Sequence, residues 1–218
     1  MQKRVLIVFY TFSSQTRNLL NALARGLEEG GVAVQWEQLK PLAPPPFPVG
    51  SYWGALKMMF FAFCKKRVAI HPPDRGRFVD WDLVICAGPT WSYHPSGPML
   101  SFLDNFAGEM LRGQYVLPFI SCRSYWQLHY WEMRRALRGA DVRFLKPRVF
   151  FHPSPGIWCT LGVFLKLAGK IPGAWRPVVQ RYCPRYGHNS QQIEEAKNFG
   201  RSLADRLREG SLHDVSAD

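Results

Sequence analysis

The stretch from Val5 to Thr16, VLIVFYTFSSQT, constrains this chain more than any other. Val5 to Tyr10 is an unbroken apolar run rich in β-branched and aromatic residues. A run that short has the length of a strand buried on both faces, as in a parallel sheet. It ends in the hydroxyl-bearing Thr11, Ser13, Ser14 and Thr16, after which Leu19, Leu20, Leu23, Ala24 and Leu27 recur at helical spacing. A buried strand therefore feeds a polar turn, and the turn opens a helix. That arrangement aims backbone N–H groups and the positive end of a helix dipole at one point, where phosphate binds readily. Ser and Thr are also ordinary helix caps, so the turn alone leaves capping and phosphate binding both open.

The pattern repeats. Further strands are expected at Val32–Leu39, Trp81–Ala87, Val116–Ser121 and Val142–Phe150, with helices over 16–29, from Pro98, over 126–139 and over 191–209. Alternation of that kind predicts an α/β fold built on a doubly wound, five-stranded parallel sheet. Ligands of such sheets sit beyond the carboxyl ends of the strands, where strand order reverses. Three loops fall there: Thr11–Thr16, Pro89–Pro98 and Cys122–Trp126. Hydroxyls in the first suit a phosphate, and the rings of Trp91, Tyr93 and Tyr125 suit a flat ligand. Tyr93 and His94 are candidate proton donors to a substrate. No Ser-His-Asp or metal-ligand spacing competes with this site, so no metal is expected.

These residues resemble the flavodoxin-like family. Its first loop runs Thr/Ser-x-Thr-Gly-x-Thr around the phosphate of FMN, and here Thr11, Ser13 and Thr16 match at the hydroxyl positions while Ser14 stands where Gly is usual. The family's second loop reads Gly-x-Pro with an aromatic, then a Pro-opened helix ending Phe-Leu-Asp/Glu. Gly88-Pro89-Thr90-Trp91 and Pro98-Met99-Leu100-Ser101-Phe102-Leu103-Asp104 look similar, with the Pro one place early. The third loop matches in position only. The resemblance covers about residues 3–150 and the last helix. It implies FMN as cofactor, held by Thr11, Phe12, Ser13, Ser14, Gln15 and Thr16, by Pro89, Thr90, Trp91, Ser92 and Tyr93, and by Cys122, Arg123 and Tyr125. The activity implied is that of an FMN-dependent oxidoreductase, NAD(P)H- or quinone-linked, acting on an apolar or aromatic small molecule. The alternatives are a flavodoxin-type electron carrier and a non-enzymatic protein of this fold that has lost FMN, for which Ser14 is the best sign. Flavodoxins are acidic, and a net charge of +12 reverses the complementarity a carrier needs.

Two stretches, about 41–79 and 151–189, stand outside the resemblance as insertions into a single domain spanning 1–218. Both are apolar and basic. From Ser51 to Val79 six basic residues face one acid, and from Arg134 to Gly187 eleven face one. Such concentration points to an anionic partner, for which an anionic membrane surface is one candidate; the competing reading is that the two segments bury one another over the cofactor as a lid, or pack across a dimer. Trp175, Tyr182 and Tyr186 interleave with Arg176, Arg181 and Arg185, yet no nucleic-acid module is recognisable, which argues against nucleic acid. Phe60, Phe61, Trp158 and Phe164 are candidates for insertion into a lipid surface. The five cysteines form no CxxC pair, and the first apolar run is too short for a secretory leader. The expected place is therefore the cytoplasm, peripheral at the inner face of a membrane.

Overall fold

The computed structural model describes residues 2–74, 80–153, 156–182 and 187–212. Strand β1 (Arg4–Phe9) leads to helix α1 (Gln15–Glu29), and β2 (Ala33–Gln38) to α2 (Tyr52–Phe63). Then come β3 (Leu83–Trp91), β4 (His94–Pro95), α3 (Gly97–Asn105) and the single turn α4 (Ala107–Met110). After β5 (Tyr115–Cys122) and α5 (Trp126–Ala136), the short strands β6 (Arg143–Phe144) and β7 (Arg148–Phe151) complete the sheet. The chain closes with α6 (Gly156–Ala168), a 3₁₀ turn (Gly173–Trp175), α7 (Arg176–Tyr182) and α8 (Ser190–Glu209).

The main sheet is parallel, in the order β2-β1-β3-β5 with β6 and β7 both on the far side of β5. The expected doubly wound α/β architecture is the observed one. Period-two alternation splits its core into two layers. Val5, Ile7 and Phe9 join Leu83, Ile85 and Ala87 under α1 and α8, whereas Leu6, Val8 and Tyr10 join Val84 and Cys86 under α3 and α5. Because both faces are covered, these strands read as continuous apolar runs rather than alternating ones.

Two expectations are corrected. The fifth strand is not continuous over 142–150. It is split into β6 and β7, which pair with opposite ends of β5. Pro147, which has no N–H to give the ladder, stands in the break. The second loop is likewise not irregular throughout. β3 runs on to Trp91 and turns back into β4, with Thr90 opposite Pro95 and Trp91 opposite His94. Both turn residues, Ser92 and Tyr93, take positive φ (44° and 77°), as a tight hairpin joining right-twisted strands requires.

Both insertions contain helices, and these pack on each other. Ala55 of α2 meets Leu167 and Ala168 of α6 in a small cluster of their own. The Val49 N–H donates to the Leu167 carbonyl at 2.8 Å, the Tyr52 hydroxyl donates to the Lys170 carbonyl at 3.1 Å, and Tyr52 stacks on Phe164. Arg185 and Tyr186 lie outside the described residues, as does the side chain of Trp158. Among the described residues no helix is long and apolar enough to cross a membrane.

Candidate functional site

The order β2-β1-β3 reverses direction at β1, so the loops after β1 and β3 leave the sheet side by side, and the loop after β5 follows. All three line one cavity of about 470 Å³, a volume within the ~300–1,000 Å³ common for cofactor and small-molecule sites. The insertions roof it: Met58, Met59, Ala62 and Phe63 come from α2, and Thr160 and Leu167 from α6. The Ser92 hydroxyl donates to the Met59 carbonyl at 3.2 Å and so ties the hairpin to α2.

The first loop is built to hold an anion. Ser14, at the N-cap of α1, adopts the left-handed conformation (φ 60°) and its side chain makes no capping hydrogen bond. The first helical bond is made by the Asn18 N–H to the Ser14 carbonyl at 3.1 Å. The N–H groups of the first turn therefore have no side-chain cap, and no acidic residue stands in that turn. Thr11, Ser13, Gln15 and Thr16 line the cavity, with Thr16 almost wholly buried. None of the described lining residues is a carboxylate, and Arg123 adds a cation.

Each of the three loops carries a non-glycine residue with positive φ. Ser14 is in the first, Ser92 and Tyr93 in the second, and Tyr125 (φ 55°) in the third; Lys65 and Asp141 are the remaining cases among the described residues. Such conformations cost on the order of 1–3 kcal/mol each and gather at ligand clamps. Here the loops that carry them converge on one cavity.

The sequence-derived site residues divide cleanly. Thr11, Phe12, Ser13, Gln15, Thr16, Pro89, Thr90, Trp91, Ser92, Tyr93, Cys122 and Arg123 all line the cavity. Ser14 is exposed and outside the lining, at the left-handed N-cap of α1. Tyr125 stands outside and packs edge-on against Tyr93 at 5.4 Å. Trp91 is also a packing residue, edge-to-face with Tyr10 at 5.7 Å and Phe12 at 5.6 Å. Burial pushes the Cys122 thiol up to about 12 and keeps it neutral.

His94 is not in the cavity. It lies buried on β4 in a cluster with His129 and Glu132 of α5 and with Lys65. Burial, then the charge of Lys65, lowers its pKa, opposed by Glu132. Burial, then His94, drives His129 down to about 3. Neutral His129 shares a 2.9 Å hydrogen bond, through Nδ1, with Thr90 Oγ1 and so orients one cavity hydroxyl.

Sequence reading missed Ser121, Ser124 and His152 as lining residues, whereas a roof made by the two insertions was one of its alternatives. Ser121 ends an expected strand, and His152 follows the last one. Extending the carboxyl-end rule to every strand end finds both. Ser121 Oγ lies 2.8 Å from His188 Nε2, and His188 Nδ1 lies 3.1 Å from Gln192 Oε1. The Gln192 oxygen only accepts, so Nδ1 donates. Burial favours neutral His188, so Nε2 accepts a hydrogen bond from the Ser121 hydroxyl and leaves the serine oxygen a hydrogen-bond acceptor toward the cavity. His152 is held neutral, at about 4, by burial and then by Arg123.

The chain is similar to several solved structures of flavoproteins. A flavoprotein from Lactobacillus acidophilus, solved in complex with FMN, is similar over 67% of this chain and 93% of its own, at 16% identity and a TM-score of 0.53. A flavodoxin from the domain Archaea is similar over 94% of this chain and 99% of its own, at 11% identity and 0.50. The rubredoxin oxygen:oxidoreductase of Desulfovibrio gigas shares 11% identity at 0.52, over 95% of this chain and 37% of its own. Identities this low establish the fold, which is flavodoxin-like. No protein-family model matches the chain, and no curated protein sequence does so.

Proposed function

We propose that this flavodoxin-like chain is an FMN-dependent oxidoreductase whose acceptor is a flat, apolar molecule such as a quinone, met at the inner face of a membrane. The observation that carries the reading is the convergence of three strained loops and an uncapped helix N-terminus on one cavity free of described carboxylates. The residues present fit the cofactor. Thr11, Ser13 and Thr16, with the first-turn N–H groups of α1, would hold its phosphate, and Pro89 to Tyr93 would border its ring system.

When bound, FMN supplies two-electron chemistry with carbon and hydride donors or acceptors. The protein's part is to bind, orient and exclude water. Thr16 donates to phosphate oxygen from a site closed to solvent. The backbone of the β3–β4 turn presents donors and acceptors at fixed positions, because Ser92 and Tyr93 are locked by the hairpin and by the bond to Met59. Met58, Met59 and Phe63 cap the opening with apolar, adaptable surface, which favours an acceptor without charge. Tyr93, 42% exposed at the cavity edge, carries a hydroxyl able to donate a proton there.

Purified protein reconstituted with FMN tests the reading. Wild type should bind FMN with visible flavin bands and reduce a water-soluble quinone analogue with NADH or NADPH. Losing one charge-assisted hydrogen bond costs roughly 1.5–3 kcal/mol, so Thr16→Ala should weaken FMN about 10- to 150-fold. Unchanged affinity in that variant would put the phosphate elsewhere. A wild type that takes up no flavin would leave a protein of this fold without the cofactor.

A further inference from the structure

Helix α2 wears its apolar residues on the outside. Trp53, Leu56, Phe60 and Phe63 follow at three- and four-residue spacing and so share one face. They are 76, 49, 60 and 58% exposed, while Ala55 on the other side is buried. Single exposed apolar residues need no explanation, but a continuous stripe along a helix does.

The charge around the stripe has one sign. Lys57, Lys65, Lys66 and Arg67 accompany it, and the chain has no carboxylate between Ser51 and Pro73. Glu132 and Asp104 engage Lys65 and Arg67, which leaves Lys57 and Lys66 exposed beside the apolar face. Helix α6, which packs on α2, carries Lys166, and the segment that follows it, including α7 packed on α6, adds Lys170, Arg176 and Arg181, again with no acid from Val142 to Ile193.

We propose that α2 is a monotopic membrane anchor that lies in the interface of an anionic bilayer. Trp53, Leu56, Phe60 and Phe63 enter the acyl boundary, and Lys57 and Lys66 meet the head groups. Charge selects this occupant over a second copy, since two such faces would set lysines against lysines. Shape favours a bilayer over a protein groove, because the stripe is a convex ridge on one helix and lipid closes around a ridge without a matching surface. At 12 residues, about 18 Å long, α2 lies on a membrane and does not span it.

Phe63 belongs to both the stripe and the cavity lining. The cavity mouth thus faces the lipid, and an acceptor dissolved in the bilayer enters beside Phe63. That last step rests on the reading of the site given above, whereas the membrane contact does not.

Co-sedimentation with phosphatidylcholine vesicles, with and without phosphatidylglycerol, decides between these. The full chain should bind only when phosphatidylglycerol is present and should release in high salt. The triple variant Trp53→Ser/Leu56→Ser/Phe60→Ser should bind on the order of 100-fold more weakly, and Lys57→Gln and Lys66→Gln about 5-fold each. FMN affinity and turnover of a soluble quinone should match wild type in all of them, which separates loss of the anchor from loss of the enzyme. A wild type indifferent to vesicles, a triple variant that binds as well as wild type, or a dimer that the triple variant dissolves would each overturn the proposal.

Discussion

Of the helix pairs that pack in this protein, α1 with α8 and α2 with α6 are held in opposite ways. α1 and α8 touch at their backbones. A Cβ on Gly26 would sit 2.1 Å from the Lys197 carbonyl oxygen, and one on Gly200 would sit 2.2 Å from that of Leu23, so only glycine permits the approach. Leu19, Leu20, Leu23 and Leu27 of one helix and Ala196, Leu203, Ala204 and Leu207 of the other are buried, and Glu29 bridges Lys197 and Arg201 at the rim. Between α2 and α6, by contrast, Ala55, Leu167 and Ala168 are the buried core, and most of the apolar surface of α2 looks away from it. Apolar content does not separate the pairs. What separates them is whether the apolar face has a partner within the chain: the first pair closes the fold, and the second covers the cavity.

The sharpest way to break that comparison is to overfill the tighter interface. Gly200→Val drives a branched side chain into the Leu23 carbonyl and should cost about 3 kcal/mol or more, read as a lower denaturant midpoint. Trp53→Ser, at the most exposed aromatic of α2, should stay within about 0.5 kcal/mol of wild type. Equal losses would mean that α2 supports the fold as α8 does.

Acid should separate the pairs next. The folded pKa of His129, about 3, lies below its ordinary 6.5, so the unfolded chain takes up that proton first as pH falls. Its contribution to stability is whole above pH 6.5 and drains at up to about 1.4 kcal/mol per pH unit as pH drops toward 3. Protonating His129 charges the cluster of His94, Lys65 and Glu132 in which the C-terminal end of α2 is tied to α5 at 2.5 Å. Amide exchange should therefore quicken in α2 before α1 or α8 as pH is lowered, and His129→Gln should flatten the dependence. Simultaneous loss in all three helices would erase the distinction.

The smallest effect sharpens the comparison within α1 itself, whose packed body follows a strained first turn. Left-handed backbone costs a non-glycine residue about 1–2 kcal/mol, and glycine gives back roughly 0.5–1 kcal/mol in chain entropy. Ser14→Gly should thus raise stability by about 0.5 kcal/mol, visible in thermal unfolding. A lower melting temperature would mean that the Ser14 side chain stabilises the turn.

Much of the site was legible beforehand because its parts are local. A strand end, a hydroxyl turn and a helix start are consecutive in Phe9 to Thr16, and Gly88 to Trp91 is likewise one contiguous strand end. His94 was misjudged on the same ground. It lies three residues from Trp91, but the β4 pairing turns it away from the cavity toward α5. Ser121 and His152 were passed over because their neighbours His188 and Arg123 are far off in sequence or on another loop.

Sequence by itself determined where the central strands of the sheet run, since unbroken apolar runs are properties of neighbouring residues. The family resemblance also marked Ser14 as standing where Gly is usual, and the left-handed turn falls there. Only the tertiary structure decided which side of α2 is covered. An almost wholly apolar helix has no preferred face of its own, and the choice was made by Leu167 and Ala168, more than a hundred residues along the chain, which took Ala55 and left Trp53, Leu56, Phe60 and Phe63 outside.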